Sequence, residues 1–257
     1  MCPPTHFDVV YVINPWMHTQ VPIDHRAAVE QWAGLRAAYE AHGLTVELIE
    51  PAPGLPDMVY AANSALVLDG IAYVARFQHP QRQGEEDVYA RWFEAHGFDV
   101  RRAAHVHEGE GDFAVAGDVI LAGTGFRTER AAHAEVAQLF GREVVSLELV
   151  DPRFYHLDTA LFVLDAERIA YYPRAFSAES RRELERRYPD ALVADEVDAL
   201  AFGLNASSDG EHVFLPAAAR GLAKRVADAG FRPVPIELGE LLRGGGSVKC
   251  CTLELRS

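Results

Sequence analysis

His42-Gly43-Leu44-Thr45-Val46 decides the fold, because its pattern returns as His96-Gly97-Phe98-Asp99-Val100, Phe140-Gly141-Arg142-Glu143-Val144 and Ala229-Gly230-Phe231-Arg232-Pro233-Val234. In each case a helical stripe stops at glycine, the residue best suited to a left-handed helix end, and an alternating apolar strand follows. The stripe before Gly43 is Val29, Trp32, Leu35, Ala38 and Tyr39 within a helix over Ala27–His42, and the strand after it is Leu44–Ile49. A further helix near Glu179–Tyr188 ends at Pro189 and leads into Ala191–Ala194. Five helices thus follow one another at a period of roughly 47 residues, in the range that marks repeat architecture.

Working outward, strand pairs fill the gaps. Val59–Leu68 pairs with Ile71–Ala75, Phe113–Ala116 with Val119–Ala122, Thr159–Leu164 with Arg168–Tyr172, and a weaker Leu204 region with Val213–Leu215. Asp69-Gly70, Gly117-Asp118, Asp165-Ala166-Glu167 and Asp209-Gly210 are suited to the hairpin turns between them. Phe7–Ile13 reads as a strand of the first unit. The repeating unit is ββαβ, five times over. No linker or low-complexity stretch divides the chain, so residues 1–257 read as a single domain with cyclic pseudo-symmetry. The other architecture open to this pattern is a mixed α/β sandwich.

The 257 residues carry 24 Lys+Arg against 38 Asp+Glu, a formal charge of −14, and 49% are hydrophobic. That balance supports a sizeable core and argues against nucleic acid or an anionic membrane as partner. No apolar run approaches a membrane span, and the start, Met1-Cys2-Pro3-Pro4, has no basic and apolar leader, so a cytoplasmic location is expected. Cys2, Cys250 and Cys251 form no disulfide framework or zinc pattern, so no structural metal is expected.

In a ring of such units, polar residues just before each hairpin face a shared centre. Four segments have them. In Pro56-Asp57-Met58-Val59-Tyr60-Ala61-Ala62-Asn63, strand alternation puts Asp57 and Asn63 on one side. His107-Glu108-Gly109-Glu110-Gly111-Asp112 gathers three carboxylates, which would demand a cation if buried. His156-Leu157-Asp158 sets an imidazole and a carboxylate on one face. Gly244-Gly245-Gly246-Ser247-Val248-Lys249-Cys250-Cys251-Thr252 allows close backbone approach and carries a cysteine beside Lys249, whose charge would lower a thiol pKa. A cysteine with distant histidine and carboxylates is the general pattern of nucleophilic catalysis. Each segment alone is also an ordinary turn, edge strand or core residue.

Together, in this order, the four segments resemble the guanidine-modifying superfamily of dimethylarginine dimethylaminohydrolases, arginine deiminases and amidinotransferases. The resemblance covers nearly the whole chain and implies a five-bladed α/β propeller, in agreement with the repeat count. It puts Cys250 in the role of nucleophile, His156 in that of general acid and base, and Asp57 of Pro56-Asp57-Met58-Val59-Tyr60 at the substrate. Arg82 of Arg82-Gln83-Gly84-Glu85 and Arg127 of Gly125-Phe126-Arg127-Thr128 would hold a substrate carboxylate. Asn63, Asp112 and Asp158 complete the binding set. The family's Glu-x-Gly-Asp string is altered here, so the acidic partner of the histidine is Glu108 or Glu110, with Glu108 preferred. Asn63 stands where aspartate is frequent, and Asp158 resembles the deiminases and amidinotransferases.

The resemblance implies a cysteine hydrolase taking N-methylated arginine to citrulline and a methylamine through a covalent thiouronium at Cys250, with no metal or organic cofactor needed. The alternatives are a deiminase or amidinotransferase acting on arginine or another guanidine, and a non-catalytic guanidino-binding protein. The expected partner is a small guanidino compound, without nucleic acid or membrane, and a homodimer is allowed.

Overall fold

The computed structural model describes residues 1–256. Four consecutive stretches each build the same unit: an antiparallel hairpin, a helix, and a third strand that returns parallel to the second strand of the hairpin. The first unit is β1 (Ala65–Leu68), β2 (Ile71–Val74), α2 (Pro80–Ala95) and β3 (Asp99–Arg102), which follow α1 (His25–Ala41). The second is β4 (Phe113–Ala116), β5 (Val119–Thr124), α3 (Arg130–Phe140) and β6 (Glu143–Glu148). The third is β7 (Leu161–Val163), β8 (Ile169–Tyr171), α4 (Ala178–Arg187) and β9 (Leu192–Val193), followed by the short α5 (Glu196–Leu200). The fourth is β10 (Ser207–Ser208), β11 (His212–Pro216), α6 (Arg220–Asp228) and β12 (Arg232–Ile236), before α7 (Gly239–Leu242). Parallel return of the third strand needs a crossover long enough to hold a helix, and each unit supplies one.

Local chemistry explains the breaks. Gly43, Gly97, Gly141 and Gly230 all have positive φ, between 62° and 92°, as the helix-ending pattern requires. Asp69 and Gly70, at φ 52° and 75°, make the tight turn between β1 and β2. The Asp24 side chain caps α1 by accepting from Ala27 N at 3.0 Å.

The expected five-bladed propeller needs correction. Among the described residues the sheets are four, each of three strands, and none closes or curls into a propeller. The fold is α/β and pentein-like, with repeated ββαβ units. Neither Phe7–Ile13 nor Leu44–Ile49 forms a strand. Phe7, Val9 and Ile49 are buried as an alternating strand would bury them, but prolines at 3, 4, 15, 51 and 53 bracket these runs and cannot donate to a ladder. Residues 13–17 are instead drawn across to other units. The Ile13 carbonyl accepts from Arg127, Asn14 Nδ2 donates to Gly244 O and Trp16 Nε1 donates to Arg153 O. Asp57 and Asn63 do not lie on a strand either: they sit in two successive 3-10 turns, Pro56–Val59 and Ala61–Ser64, ahead of β1.

Those turns repeat, and they build the site. Before each hairpin the chain makes one tight turn closed by a backbone bond to the residue three earlier. Asn63 N donates to Tyr60 O, Gly111 N to Glu108 O, Thr159 N to His156 O and Asn205 N to Phe202 O, at 2.9–3.2 Å. Glu108 and His156 therefore hold equivalent places in the second and third units, and Asn63 and Asn205 hold equivalent places in the first and fourth. Among the described residues no helix is long and apolar enough to cross a membrane, and no cluster of His, Cys, Asp and Glu suits a metal ion.

Candidate active site

The four polar turns bring their side chains into one buried chamber. His156 Nε2 lies 2.8 Å from Glu108 Oε2, and the same oxygen accepts from Arg127 Nη1 at 2.8 Å. Two residues after His156, Asp158 turns to the cysteine, whose Sγ donates to Asp158 Oδ2 at 3.1 Å. Asp57 Oδ2 accepts from the Tyr11 hydroxyl at 2.9 Å. Gly111 has no room for a side chain, since a Cβ there would run into the Asn63 amide and the His156 ring.

The chamber is short of partners. Among the described residues seven buried side-chain polar atoms have no protein partner, and five of them are here: Asp57 Oδ1, Asn63 Nδ2, Glu108 Oε1, His156 Nδ1 and Asp158 Oδ1. Leaving such groups unpaired costs about 1–3 kcal/mol each, so this concentration marks a place built to receive something else. Three of the five are carboxylate oxygens, which select a donor-rich, positively charged ligand.

Charge in the chamber is finely divided. Burial alone would raise Glu108, but the Arg127 guanidinium and His156 hold it well below the usual carboxylate range. Burial pushes Asp158 up to about 7 against the pull of the Cys250 hydrogen bond and Lys249. Asp57 is raised by burial, against the pull of Arg82 and the Tyr11 hydroxyl. Burial and the Asp158 carboxylate push the Cys250 thiol well above its ordinary value. The lowering expected from Lys249 does not occur, because its ammonium points away, to Glu110 at 2.6 Å and Glu254 at 2.7 Å.

The remaining candidates divide. Glu110 is bound by Lys249 and Arg256 and also accepts from the Glu254 backbone, apart from the His156 side of its turn. Asp112 stands behind His156, its oxygens taken by Thr128 Oγ1 at 2.7 Å and Leu157 N at 3.0 Å. Arg82 spends its guanidinium inside the protein: Nε and Nη2 on Glu85, Nη1 on Asn63 Oδ1 at 2.7 Å and Nη2 on the Asp57 carbonyl. Only one of its N–H groups is left for a substrate carboxylate. Arg127, bonded to Glu108 and Ile13 O and lying 4.8 Å over the Tyr155 ring, keeps more of its donors free.

Three neighbours escaped the sequence reading. Tyr11 holds Asp57, and Tyr155 packs on the His156 ring with its hydroxyl on Gly245 O. Asn205 touches both Asp158 and Cys250. Its signal was its repeat position, since it precedes β10 by the same two residues by which Asn63 precedes β1.

Fold and chamber define a guanidino-group hydrolase working through a cysteine adduct on an arginine-like substrate, and known proteins agree. The family model described as eukaryotic N,N dimethylarginine dimethylhydrolase matches residues 13–190. The chain is 54% identical, over 99% of its length and 84% of the relative's, to the N(G),N(G)-dimethylarginine dimethylaminohydrolase of Mycobacterium tuberculosis. It is 42% identical, over 99% of its length, to the bifunctional arginine dihydrolase/ornithine cyclodeaminase ArgZ of Synechocystis, and spans 37% of that protein. An asparagine-to-serine variant of the ArgZ N-terminal domain, solved with a covalently bound reaction intermediate, superposes with a TM-score of 0.95 at 40% identity, covering 99% of this chain and 96% of that one. The chain belongs to the dimethylarginine dimethylaminohydrolase family of the guanidine-modifying superfamily.

Proposed function

We propose that this enzyme hydrolyses the unmethylated guanidino group of arginine, releasing ammonia, with Cys250 as nucleophile and His156 as general acid and base. The observation that carries the reading is the set of unpartnered acceptors on Asp57, Glu108 and Asp158. An unmethylated guanidinium presents N–H groups along every edge and can meet them all. A dimethylated nitrogen presents two methyls in place of donors, and would leave a buried carboxylate oxygen unpaired at a cost of about 1–3 kcal/mol. The 42% identity to a protein named for arginine dihydrolysis supports the same substrate.

The cation lies flat between sulfur and imidazole, its edges on the three carboxylates. Asp158 takes the thiol proton to which it is already hydrogen-bonded. Sulfur bonds to the guanidino carbon, and a neutral tetrahedral adduct forms. His156, hydrogen-bonded to Glu108, acts as the general acid and gives a proton to the departing nitrogen, and the C–N bond breaks to leave ammonia and a cationic thiouronium. His156 then takes a proton from water as that water attacks. The C–S bond breaks, Asp158 returns its proton to sulfur, and the ureido product leaves after giving a proton to solvent. Arg127 is assigned to the substrate's carboxylate, which its remaining N–H donors support. Arg82 acts indirectly by fixing Asn63 and Asp57.

A second reading, hydrolysis of N-methylated arginine with release of a methylamine, is favoured by the 54% identity to a dimethylarginine dimethylaminohydrolase. Incubation with arginine and with asymmetric dimethylarginine, scoring citrulline, ornithine, ammonia and dimethylamine, decides between them. Ammonia from arginine at a kcat/KM well above that for the methylated compound is expected, and ornithine would report a second hydrolysis. Dimethylamine release with arginine inert overturns the proposal.

A further inference from the structure

Asn205 lies fully buried between β10 and the preceding α5, and both atoms of its side-chain amide are engaged around the cysteine. Its Oδ1 accepts from two backbone donors, Ser247 N at 3.0 Å and Cys250 N at 3.1 Å. Its backbone carbonyl accepts from Lys249 N at 3.3 Å. Two backbone N–H groups can only face a carbonyl oxygen, so the orientation of the amide is settled by its surroundings. Nδ2 is thereby turned toward the Asp158 carbonyl and the Cys250 sulfur, at 3.1 Å from each.

We propose that Asn205 is a catalytic hydrogen-bond donor to the Cys250 sulfur, pinning the nucleophile in attack position and strengthening its bond as the thiol becomes a thiolate. The inference rests on Cys250 being the nucleophile. When Asp158 takes the thiol proton, the sulfur loses its own donated bond and becomes an anion at a buried position. Nδ2–H is then the one side-chain donor already in contact with it, and a bond from a neutral donor to a charged acceptor is roughly twice as strong as one to a neutral acceptor. The donor is preorganised, because its amide plane is locked by Ser247 and Cys250 backbone groups and needs no movement as charge develops. The need is real in this environment: burial and the neighbouring carboxylate both disfavour the thiolate, and Lys249 faces the other way.

Asn205→Asp separates donation from support. An aspartate still accepts from Ser247 N and Cys250 N but turns an acceptor toward the sulfur. With arginine as substrate, kcat is expected to fall roughly a hundredfold, as when one preorganised donor to a developing anion is lost. KM should change little. The pH dependence of Cys250 alkylation by chloroacetamidine should move upward by at least about one pH unit, because the thiolate has lost its donor. Asn205→Ser, small and neutral, should show a smaller shift in the same direction. A folded Asn205→Asp with the wild-type alkylation profile, or with kcat within about threefold of wild type, overturns the proposal. Should Asn205→Asp not fold, an unshifted profile in Asn205→Ser overturns it instead. Peptide mapping keeps the two ideas apart: wild-type labelling at Cys2 or Cys251 would refute the choice of Cys250, whereas correct labelling with an unshifted variant refutes the role of Asn205 alone.

Discussion

Glu108 and Glu110 leave the same short turn and end in opposite circumstances. Both are buried and both are bonded to an arginine. Glu110 is saturated: Lys249, Arg256 and the Glu254 backbone take up its oxygens, and those cations share Glu254 as a second partner. Glu108 keeps Oε1 without a partner while its other oxygen serves His156 and Arg127. A saturated buried carboxylate is spent on structure, since its charge is already neutralised locally. An unsaturated one, in a fold that bonds nearly all its buried polar atoms, is held ready for a ligand. The pair also shows how two residues of turn geometry separate an ion-pair clamp from a reaction chamber.

The largest effect expected from this contrast is in turnover. Glu108→Gln keeps the shape but removes the carboxylate shared by His156 and Arg127 and offered to the substrate cation, so kcat for arginine should drop by roughly 10²–10⁴-fold. Glu110→Gln should leave kcat within about tenfold and act instead on stability. It leaves Lys249 and Arg256 with one carboxylate fewer, and because Arg256 is partly exposed the loss should be about 2 kcal/mol, below the range for a fully buried pair. Steady-state kinetics beside urea unfolding of both variants reads the two axes. Equal losses of kcat in the two variants would break the comparison.

The smallest effect is a pH dependence. Asp158, raised to about 7 from an ordinary 3.8, binds a proton more tightly in the folded protein than in the unfolded chain. Its contribution to stability is therefore complete below pH about 4 and is lost as the pH rises through about 7. A bound guanidinium opposes that loss, because it favours the ionised carboxylate. In Cys250→Ser, which cannot turn over, the thermal shift caused by arginine should accordingly grow from pH 5 to pH 8. A shift that is flat or shrinks over that window would show that Asp158 does not meet the cation.

The contrast also shows what could be seen in advance. The repeats were legible because the glycine after four of the five helices and the Asp-Gly or Gly-Asp turn in three of the hairpins are local requirements written in single residues. Phe113–Ala116 matches β4 residue for residue. The stretch ahead of β1 was misread because Phe7–Ile13 and Leu44–Ile49 alternate like strands, yet no ladder forms for them, and residues 13–17 are committed to Arg127, Gly244 and Arg153 instead. That loss removes the fifth sheet and with it the propeller. His156 and Asp158 could be picked out because they sit in a polar turn just ahead of an apolar strand, and Cys250 joined them only through the family resemblance. Local sequence could not tell whether Glu108 or Glu110 meets the imidazole, since that depends on Lys249 and Arg256 arriving from the far end of the chain. The thiol was misjudged for the same reason: adjacency to Lys249 in sequence says nothing about where its ammonium goes. Asn205 was overlooked as one amide in an apolar stretch, although its register with Asn63 was there to be counted.

The central claim is that the three carboxylates with free oxygens hold a guanidinium against Cys250. Alkylation by chloroacetamidine, followed by peptide mapping and repeated with increasing arginine, tests it most directly. The account predicts a label on Cys250 alone, protected by arginine in a saturable way. A label on Cys251 or Cys2, or labelling of Cys250 that arginine does not slow, would contradict it.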